Sequence, residues 1–459
     1  MYKSFVDKIP EIFFAPLEFL NNKIFKKLIK SRKYKKIYKN TINEIKRFEI
    51  MNSSEIEEFS FKKLKKLLIY AFENVPYYNN LFNSINFNPN YMKNISEIKK
   101  IPLLDKRIIN ENYNNLISNE FKNNKSKLIK LSTGGSTGKP LEFLSLKYYN
   151  EARENAFIDY IFSKNGYKKD MRTIILRGDK VRNIDKKKAK NIYWRKKRGT
   201  NDLIMSTYML NDVSCIFYIK KLIKYKAKCI KAYPSALELL ANKMISMNLK
   251  NKDVELIICA SENLSCMQID IFKKVFCNAK IFDFYGHTEH CCLAELNNKN
   301  KYTFIPNYGY VELEENDDGS FEIVCSGYNN YVMPFIRYKT GDLVKDFNFI
   351  DGKLEVNKIE GRKKEYIIDK LGNKIVFTGS YKILDCVINK ILAGQIIQEN
   401  IGHLYVDVIV NEKFEDNDKN SIILAFKSKY KDRFDVDVRI VKELRKTSRG
   451  KINFFIQCI

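Results

Sequence analysis

The sequence predicts an α/β protein with a large N-terminal part built on mostly parallel sheets and a small, mobile α+β C-terminal part. From residue 127 onward, short β-rich runs alternate with helical patterns, which is the βαβ arrangement that produces parallel sheets. Towards the C-terminus, hairpin signals and a lysine-rich tail replace that alternation. At 459 residues the chain exceeds one ordinary hydrophobic core, so at least two domains are expected.

The N-terminal 50 residues combine an apolar helical face with a dense basic run. The apolar face consists of Leu17, Leu20, Ile24 and Leu28, and the lysines and arginines of 26–36 follow it. Two interpretations stay open: a helix docked on the protein with a solvated lysine face, or a helix lying on an anionic membrane surface. A second amphipathic helix is predicted at 61–73, ending near Val75 because Pro76 follows.

The central region carries the βαβ pattern. Its predicted elements are strand 127–131, strand 141–144, strand 173–176, helix 212–225, strand 229–233, helix 236–247 and strand 255–259. Residues 316–319 read as a hairpin turn between strands at 310–313 and 321–325. A domain boundary is expected near residue 360. The resulting prediction is an N-terminal extension at 1–60, a large domain at 61–360 and a small domain at 361–459.

The net charge of +28 raises the question of nucleic-acid or membrane binding. Lysines occur in nearly every segment, and the densest run, 186–198, contains few interleaved aromatic residues. Nucleic acid is therefore not an expected partner. Peripheral association with the inner membrane surface through the N-terminal segment stays open, and otherwise a cytoplasmic location is expected because no signal peptide or apolar span is recognised.

All ten cysteines lie after residue 200, and none forms a C-x-x-C pair, so reduced thiols are expected. His287, His290, Cys291 and Cys292 form a histidine and cysteine group. Because adjacent cysteines are poor paired ligands for one zinc ion, a metal there is not favoured.

The segment 131–140 is a loop of hydroxyls, glycines and one lysine between two predicted strands. Glycine permits close backbone approach, and successive N–H groups can form an anion-binding concavity that suits a polyphosphate. A Walker A loop is excluded because Thr133 and Pro140 stand where that motif needs glycine and a hydroxyl residue. A flexible surface loop is the alternative.

Four further motifs follow this loop in order. They are Tyr285–Gly286–His287–Thr288–Glu289, the segment 337–343 containing Asp342, the segment 361–372 headed by Gly361 and Arg362, and the segment 447–452 containing Lys451. Together with the loop they resemble the adenylate-forming superfamily of acyl-CoA synthetases, nonribosomal adenylation domains and luciferases. Within it, the sequence is most similar to the phenylacetate–CoA ligase group and its CapK-like proteins linked to capsular polysaccharide synthesis. The resemblance extends from about residue 60 to the C-terminus.

The resemblance implies a role for each motif. At the phosphates of ATP, it implies contacts from Thr133, Gly135, Ser136, Thr137, Gly138 and Lys139. At the adenine, it implies contacts from Ser261 and Glu262. Tyr285 and Gly286 would also bind the nucleotide, Asp342 would bind the ribose hydroxyls, and Arg362 would reach the nucleotide as well. Thr288 would contact phosphate, Glu289 would bind Mg²⁺, and Lys451 would be the catalytic lysine. Lys363 or Lys364 would lie at the hinge of the small domain.

The implied reaction is activation of a small carboxylic acid by ATP, with release of pyrophosphate and formation of an acyl-adenylate. Transfer of the acyl group to coenzyme A follows in the first hypothesis. In the second, the acyl group passes to an amine in surface polysaccharide synthesis. A third hypothesis, outside this enzyme class, is a basic scaffold that binds membrane or nucleic acid. Pyrophosphate release separates the first two hypotheses from the third.

Overall fold

The structure is a computed structural model that describes residues 32–133, 140–179, 181, 190–262, 264–362, 366–376, 380–447 and 450–459. The predicted apolar face at 17–28, the phosphate-loop residues 134–139, residues 186–189 of the basic run at 186–198 and the hinge lysines at 363–364 lie outside the described residues. The chain divides into two compact units. One unit contains 165–283 and 365–459, and the other contains 26–164 and 284–364.

The described helices and strands are numbered here in chain order. The helices are α1 (Arg32–Glu49), α2 (Ser53–Asn74), α3 (Pro76–Ser84), α4 (Lys106–Glu111), α5 (Asn119–Lys122), α6 (Tyr149–Lys164), α7 (Asp212–Tyr225), α8 (Pro234–Ser246), α9 (Cys266–Val275) and α10 (Asp416–Tyr430). Strands β1–β11 are Leu128–Ser132, Glu142–Leu146, Thr173–Arg177, Trp194–Lys196, Asp202–Ser206, Cys229–Ala232, Leu256–Cys259, Lys280–Gly286, Leu293–Leu296, Tyr302–Phe304 and Gly309–Glu315. Strands β12–β22 are Phe321–Gly327, Tyr338–Val344, Phe347–Ile350, Lys353–Val356, Glu360–Arg362, Tyr366–Ile368, Lys374–Val376, Ile391–Asn400, His403–Val410, Asp435–Ile440 and Phe455–Gln457.

The first unit contains the parallel sheet that the βαβ pattern predicts. Strands β5, β3, β6 and β7 and the first residues of β8 pair in parallel in that order, and β4 adds an antiparallel edge. Strand β7 is buried along its whole length, as a central parallel strand must be. Helix α7 matches the predicted range because Asn211 caps its N-terminus in a capping box and Lys226 ends it in the left-handed conformation.

The C-terminal segment of this unit folds as a four-stranded sheet, ordered β21-β20-β19-β22, with α10 packed on it. Apolar residues of both layers form its core, among them Ile396, Val406, Ile422 and Phe426, each at most 1% exposed. Strands β17 and β18 form a separate hairpin. This is the α+β architecture expected for the C-terminal part.

The second unit combines helices α1 to α6 with antiparallel strands. The two strands predicted on either side of residues 134–139 are present as β1 and β2, and they pair antiparallel. Strands β11 and β12 form the predicted hairpin, which extends into a four-stranded sheet with β13 and β16. The end of β8 pairs antiparallel with β9, which continues through β10 and β15 to β14.

Helix α1 settles the interpretation of the basic N-terminal segment for the described residues 32–49. Its buried residues are Thr41, Ile45 and Phe48. Glu44 receives two hydrogen bonds from the buried guanidinium of Arg153 on α6, at 3.0 and 3.3 Å. This part of the segment is therefore a docked helix with solvated lysines. Helix α2 begins earlier than predicted, because Asn52 and Glu55 form a capping box.

Candidate functional site

The first group of candidate residues lies at the carboxyl edge of the parallel sheet in the first unit. Leu176 of β3 pairs with Ala232 of β6, and Ala232 pairs with Cys259 of β7. Arg177, Tyr233 and the segment 260–262 therefore emerge side by side where three parallel strands end. This edge is where open α/β sheets bind their ligands.

Lys451 reaches this edge from the C-terminal segment of the same unit. Its Nζ donates a hydrogen bond of 2.7 Å to the carbonyl oxygen of Ser261 and lies 5.6 Å from the centroid of the Tyr233 ring. The structure thus brings together Lys451 and Ser261, which the resemblance had assigned separately to catalysis and nucleotide binding.

The turn before Lys451 explains the glycine that precedes it. Gly450 has a φ of 72°, and a Cβ at this position would lie 2.6 Å from Oγ1 of Thr207. The N–H of Gly450 donates to the Thr447 carbonyl, and the N–H of Thr447 donates to the Lys451 carbonyl. Lys446 fixes the same turn by donating to the carbonyl of Leu210 at 2.7 Å. The lysine is therefore held by a tight turn that packs against 207–210.

Glu262 is half-buried next to Ser261 and accepts a hydrogen bond of 3.0 Å from the backbone N–H of Ser235, at the N-terminus of α8. Burial raises the pKa of Glu262 to about 7, although this hydrogen bond and the charge of Lys451 lower it in part. Burial likewise raises the pKa of Glu238 to about 7. Both carboxyl groups therefore titrate near neutral pH, with burial as the main cause in each.

Arg177 is a further group at this edge that motif reasoning did not identify. Its Nε and Nη2 atoms are buried and have no hydrogen-bond partner within the described residues. Burial lowers its pKa, against the opposing influence of Tyr233, Cys259 and two aspartates. Buried guanidinium donors without partners are costly, so this position suits an anionic ligand.

The second group of candidate residues lies in the second unit. The hydroxyl of Tyr285, near the end of β8, donates a hydrogen bond of 2.7 Å to Oδ2 of Asp342 on β13. Asp342 is also paired with Arg362 of β16 in the strand register. The structure therefore brings Tyr285, Asp342 and the backbone of Arg362 together. Gly286 ends β8, and a Cβ there would lie 3.1 Å from Cδ1 of Leu293.

Thr288 and Glu289 lie in the turn that follows β8, and Glu289 is buried. Its Oε1 accepts a hydrogen bond of 2.8 Å from the Tyr338 hydroxyl, and its Oε2 lies 3.4 Å from Nδ1 of His287. Burial favours the neutral acid, but His287 and Tyr338 overcome this and lower the pKa of Glu289 to about 2. Glu289 is thus an ionised oxygen donor, which fits the implied role of a Mg²⁺ ligand.

His287 also contacts two thiols. Its Nε2 lies 3.3 Å from Sγ of Cys292 and 3.8 Å from Sγ of Cys325 on β12. Burial alone would raise the pKa of Cys292, but Cys325 and His287 lower it to about 6. The group in the structure therefore differs from the histidine and cysteine group that the sequence suggested. Cys325 belongs to it, whereas Nδ1 of His290 lies 3.3 Å from Oε2 of Glu154.

Of the predicted phosphate loop, only Thr133 belongs to the described residues. It is buried, and its backbone and hydroxyl bridge across the loop to Leu141 with two hydrogen bonds of 2.9 Å. Gly135, Ser136, Thr137, Gly138 and Lys139 lie outside the described residues, so their role stays a prediction. Among the described helices, none combines the length and apolarity that a membrane span requires.

Comparison with solved structures defines the class of fold. A crystal structure of 2-hydroxyisobutyryl-CoA ligase in the postadenylation state, in complex with 2-HIB-AMP, matches with a TM-score of 0.65 and 14% identity over 89% of this chain and 90% of that one. An open conformation of the same ligase, with 2-HIB-AMP and CoA, matches with a TM-score of 0.54 and 14% identity over 88% and 92%. The fold is therefore that of the adenylate-forming ligases, with their small C-terminal domain.

Comparison of sequences identifies more specific relatives within this class of fold. Residues 367–457 match the CapK C-terminal domain model. The whole chain is 25% identical to Protein CapK of Staphylococcus aureus over 460 residues, which covers 98% of each protein. The chain is thus similar to CapK along its whole length, as its motifs indicated.

Proposed function

We propose that this protein activates a small carboxylic acid with ATP, forms an acyl-adenylate and releases pyrophosphate. The observation that carries the proposal is the position of Lys451 at the carboxyl edge of the parallel sheet, with its Nζ 2.7 Å from the Ser261 carbonyl. Adenylation joins anionic groups, so its main requirement is positioned positive charge. Lys451 would supply that positive charge, and a fold shared with adenylate-forming ligases supports the assignment.

Arg177, at the end of the neighbouring strand β3, supports the same reaction. Its two buried donors without partners are matched to a carboxylate or phosphate oxygen, and binding such a group would remove the cost of leaving them unsatisfied. Neighbouring Ser261 and Glu262 form the segment at which the adenine is proposed to bind. Together these residues would orient the acid and the nucleotide for attack of the carboxylate oxygen on the α-phosphorus.

The nucleotide contacts proposed for the second unit rest on Asp342 and Glu289. A carboxylate accepting two hydroxyls suits the ribose diol, and Tyr285 holds Asp342 in place with its hydrogen bond. Glu289 is the residue that would hold Mg²⁺, since it is ionised and each of its oxygens keeps a lone pair beyond its present contact. The ion would supply charge neutralisation at the phosphates.

Coenzyme A is the proposed acyl acceptor, which makes the enzyme an acid–thiol ligase. An amine is the alternative acceptor and would give an amide instead of a thioester. The first half-reaction is the same for both acceptors. Only the nucleophile that attacks the acyl-adenylate differs.

The test is pyrophosphate release from Mg²⁺-ATP with a panel of carboxylic acids, followed by product analysis with CoA and with amines. The proposal expects release that depends on one class of acid, and a thioester product when CoA is added. Lys442→Ala, which removes an exposed lysine of the same segment, is the matched control for Lys451→Ala. Acid-independent ATP hydrolysis, or equal activity of these two variants, would contradict the proposal.

A further inference from the structure

A buried cluster of one imidazole and two thiols lies in the second unit, and we propose that it is a zinc-binding site. Its members are His287, Cys292 and Cys325, whose ligand atoms all lie within 4.8 Å of one another. The first two belong to the turn between β8 and β9, and the third lies on β12. The inference is independent of the proposed adenylation chemistry.

The two separations between the histidine nitrogen and the thiols match edges of a zinc coordination tetrahedron. With Zn–S near 2.3 Å and Zn–N near 2.0 Å, tetrahedral geometry requires N···S separations of about 3.6 Å. The observed separations from Nε2 of His287 are 3.3 Å to Cys292 and 3.8 Å to Cys325. Both N···S edges are therefore met to within a few tenths of an ångström, and the two sulfur atoms lie within 4.8 Å of each other.

Charge and ligand type favour zinc over the hard cations. The thiols of Cys292 and Cys325 are 1% and 0% exposed, so an uncompensated charge there would be costly. Two thiolates offset the double charge of Zn²⁺, and a neutral imidazole adds a third ligand without further charge. Sulfur and nitrogen ligands suit zinc, whereas Mg²⁺ and Ca²⁺ prefer oxygen. Binding requires both cysteines as thiolates and the histidine as neutral imidazole, so any proton still on a ligand atom goes to solvent, and no oxidation state changes.

The surroundings of the histidine also have the form of a metal site. Nδ1 of His287 faces Oε2 of Glu289 at 3.4 Å, and Oε1 of Glu289 is held by the Tyr338 hydroxyl. A carboxylate behind a metal-ligating histidine selects the tautomer with its proton on Nδ1, which leaves Nε2 free to bind the ion. Tyr338 on β13 would thus hold the Glu289 carboxylate, the carboxylate would orient His287, and His287 would bind the metal.

Three protein ligands leave a fourth coordination position for water or another small ligand. The ion would tie the turn at 287–292 to β12, and that turn carries Thr288 and Glu289. Cys291 is not part of the site, because its thiol faces the Glu289 carbonyl at 3.4 Å.

Metal content of the purified full-length protein tests the proposal. After dialysis under reducing conditions, elemental analysis should find one zinc ion per chain, and cobalt-substituted protein should show thiolate-to-cobalt charge-transfer absorption. Cys292→Ser and Cys325→Ser should each lose the stoichiometric ion. The control is Cys229→Ser, which changes a buried free cysteine of the first unit and should retain it.

Thermal melting supplies a second readout. A strong chelator should lower the melting temperature of the wild-type protein and of Cys229→Ser, and it should not change that of Cys292→Ser, because a metal that binds only the folded state stabilises it. Wild-type protein that holds no stoichiometric zinc, even after incubation with zinc salt, would overturn the inference whether or not the variants fold. Full zinc content in folded Cys292→Ser and Cys325→Ser would overturn it as well.

Discussion

Replacing Lys451 with alanine should abolish most adenylate formation while leaving the protein folded. The side chain makes a hydrogen bond of 2.7 Å to the Ser261 carbonyl and lies 5.6 Å from the Tyr233 ring centroid. Loss of a charged donor directed at developing charge costs about 3 kcal/mol, as for an oxyanion-hole donor, which is a rate decrease of roughly 10²-fold. Because the Ser261 carbonyl can bond to water instead, the free energy of unfolding should change by less than about 1 kcal/mol.

Burst measurements of pyrophosphate release give the rate of the first half-reaction, and urea unfolding gives the stability. Transfer from synthetic acyl-adenylate to the acceptor should be nearly unchanged in Lys451→Ala, because the lysine is proposed to act only in the first half-reaction. Lys442→Ala should match the wild-type protein in all three assays. A wild-type rate of pyrophosphate release in Lys451→Ala, or an equal loss in both half-reactions, would refute the assignment.

Three further predictions follow from the packing. Burial raises the pKa of Glu238 from 4.5 to about 7. The contribution of the neutral carboxyl group to the free energy of unfolding is therefore fully present below pH 4.5 and is lost as the pH rises towards 7. Glu238→Gln should remove this dependence and stabilise the protein at pH 8 by up to about 3 kcal/mol in urea unfolding, and an unchanged pH profile would contradict the shift. Gly309→Ala should destabilise by about 3 kcal/mol or more, because a Cβ would lie 1.9 Å from the Cys291 carbonyl oxygen. Gly199→Ala, whose Cβ meets open space at a φ of 75°, should cost only about 1 kcal/mol, and equal losses would argue against close packing. Deletion of 1–31, which spares α1, should retain pyrophosphate release and weaken binding to anionic vesicles by about 1 kcal/mol per basic residue at the surface; unchanged vesicle binding would remove the membrane hypothesis.

The elements that the sequence predicts well are those whose ends are locally encoded. Helix α7 begins at the capping residue Asn211 and ends at Lys226, so its range follows from the chain itself. Helix α2 was predicted too short because the periodic apolar pattern starts later than the capping box at Asn52. For the basic N-terminal segment, the sequence pattern left two environments open, and for its described residues 32–49 contacts with α6, such as that between Glu44 and Arg153, decide between them.

The residues of the candidate site likewise fall into those that the sequence could suggest and those that only the fold brings together. Lys451, Ser261 and Asp342 could be proposed as site residues from motifs, because each lies in a short segment with a recognisable neighbour. Cys325 could not, because the register of β12 and β13, including an irregularity between Glu322 and Val324, brings it to His287. Arg177 also gave no motif signal, since its importance comes from burial at a strand end without a hydrogen-bond partner among the described residues.

The central claim, that the protein makes an acyl-adenylate, is tested most directly with an acid labelled with oxygen-18 in its carboxylate. The acid giving the strongest pyrophosphate release is incubated with ATP, Mg²⁺, the acceptor and the protein, and the nucleotide product is analysed by mass spectrometry. Attack of the carboxylate on the α-phosphorus predicts that one labelled oxygen appears in AMP after acyl transfer. Unlabelled AMP, or label in inorganic phosphate together with ADP, would contradict the claim.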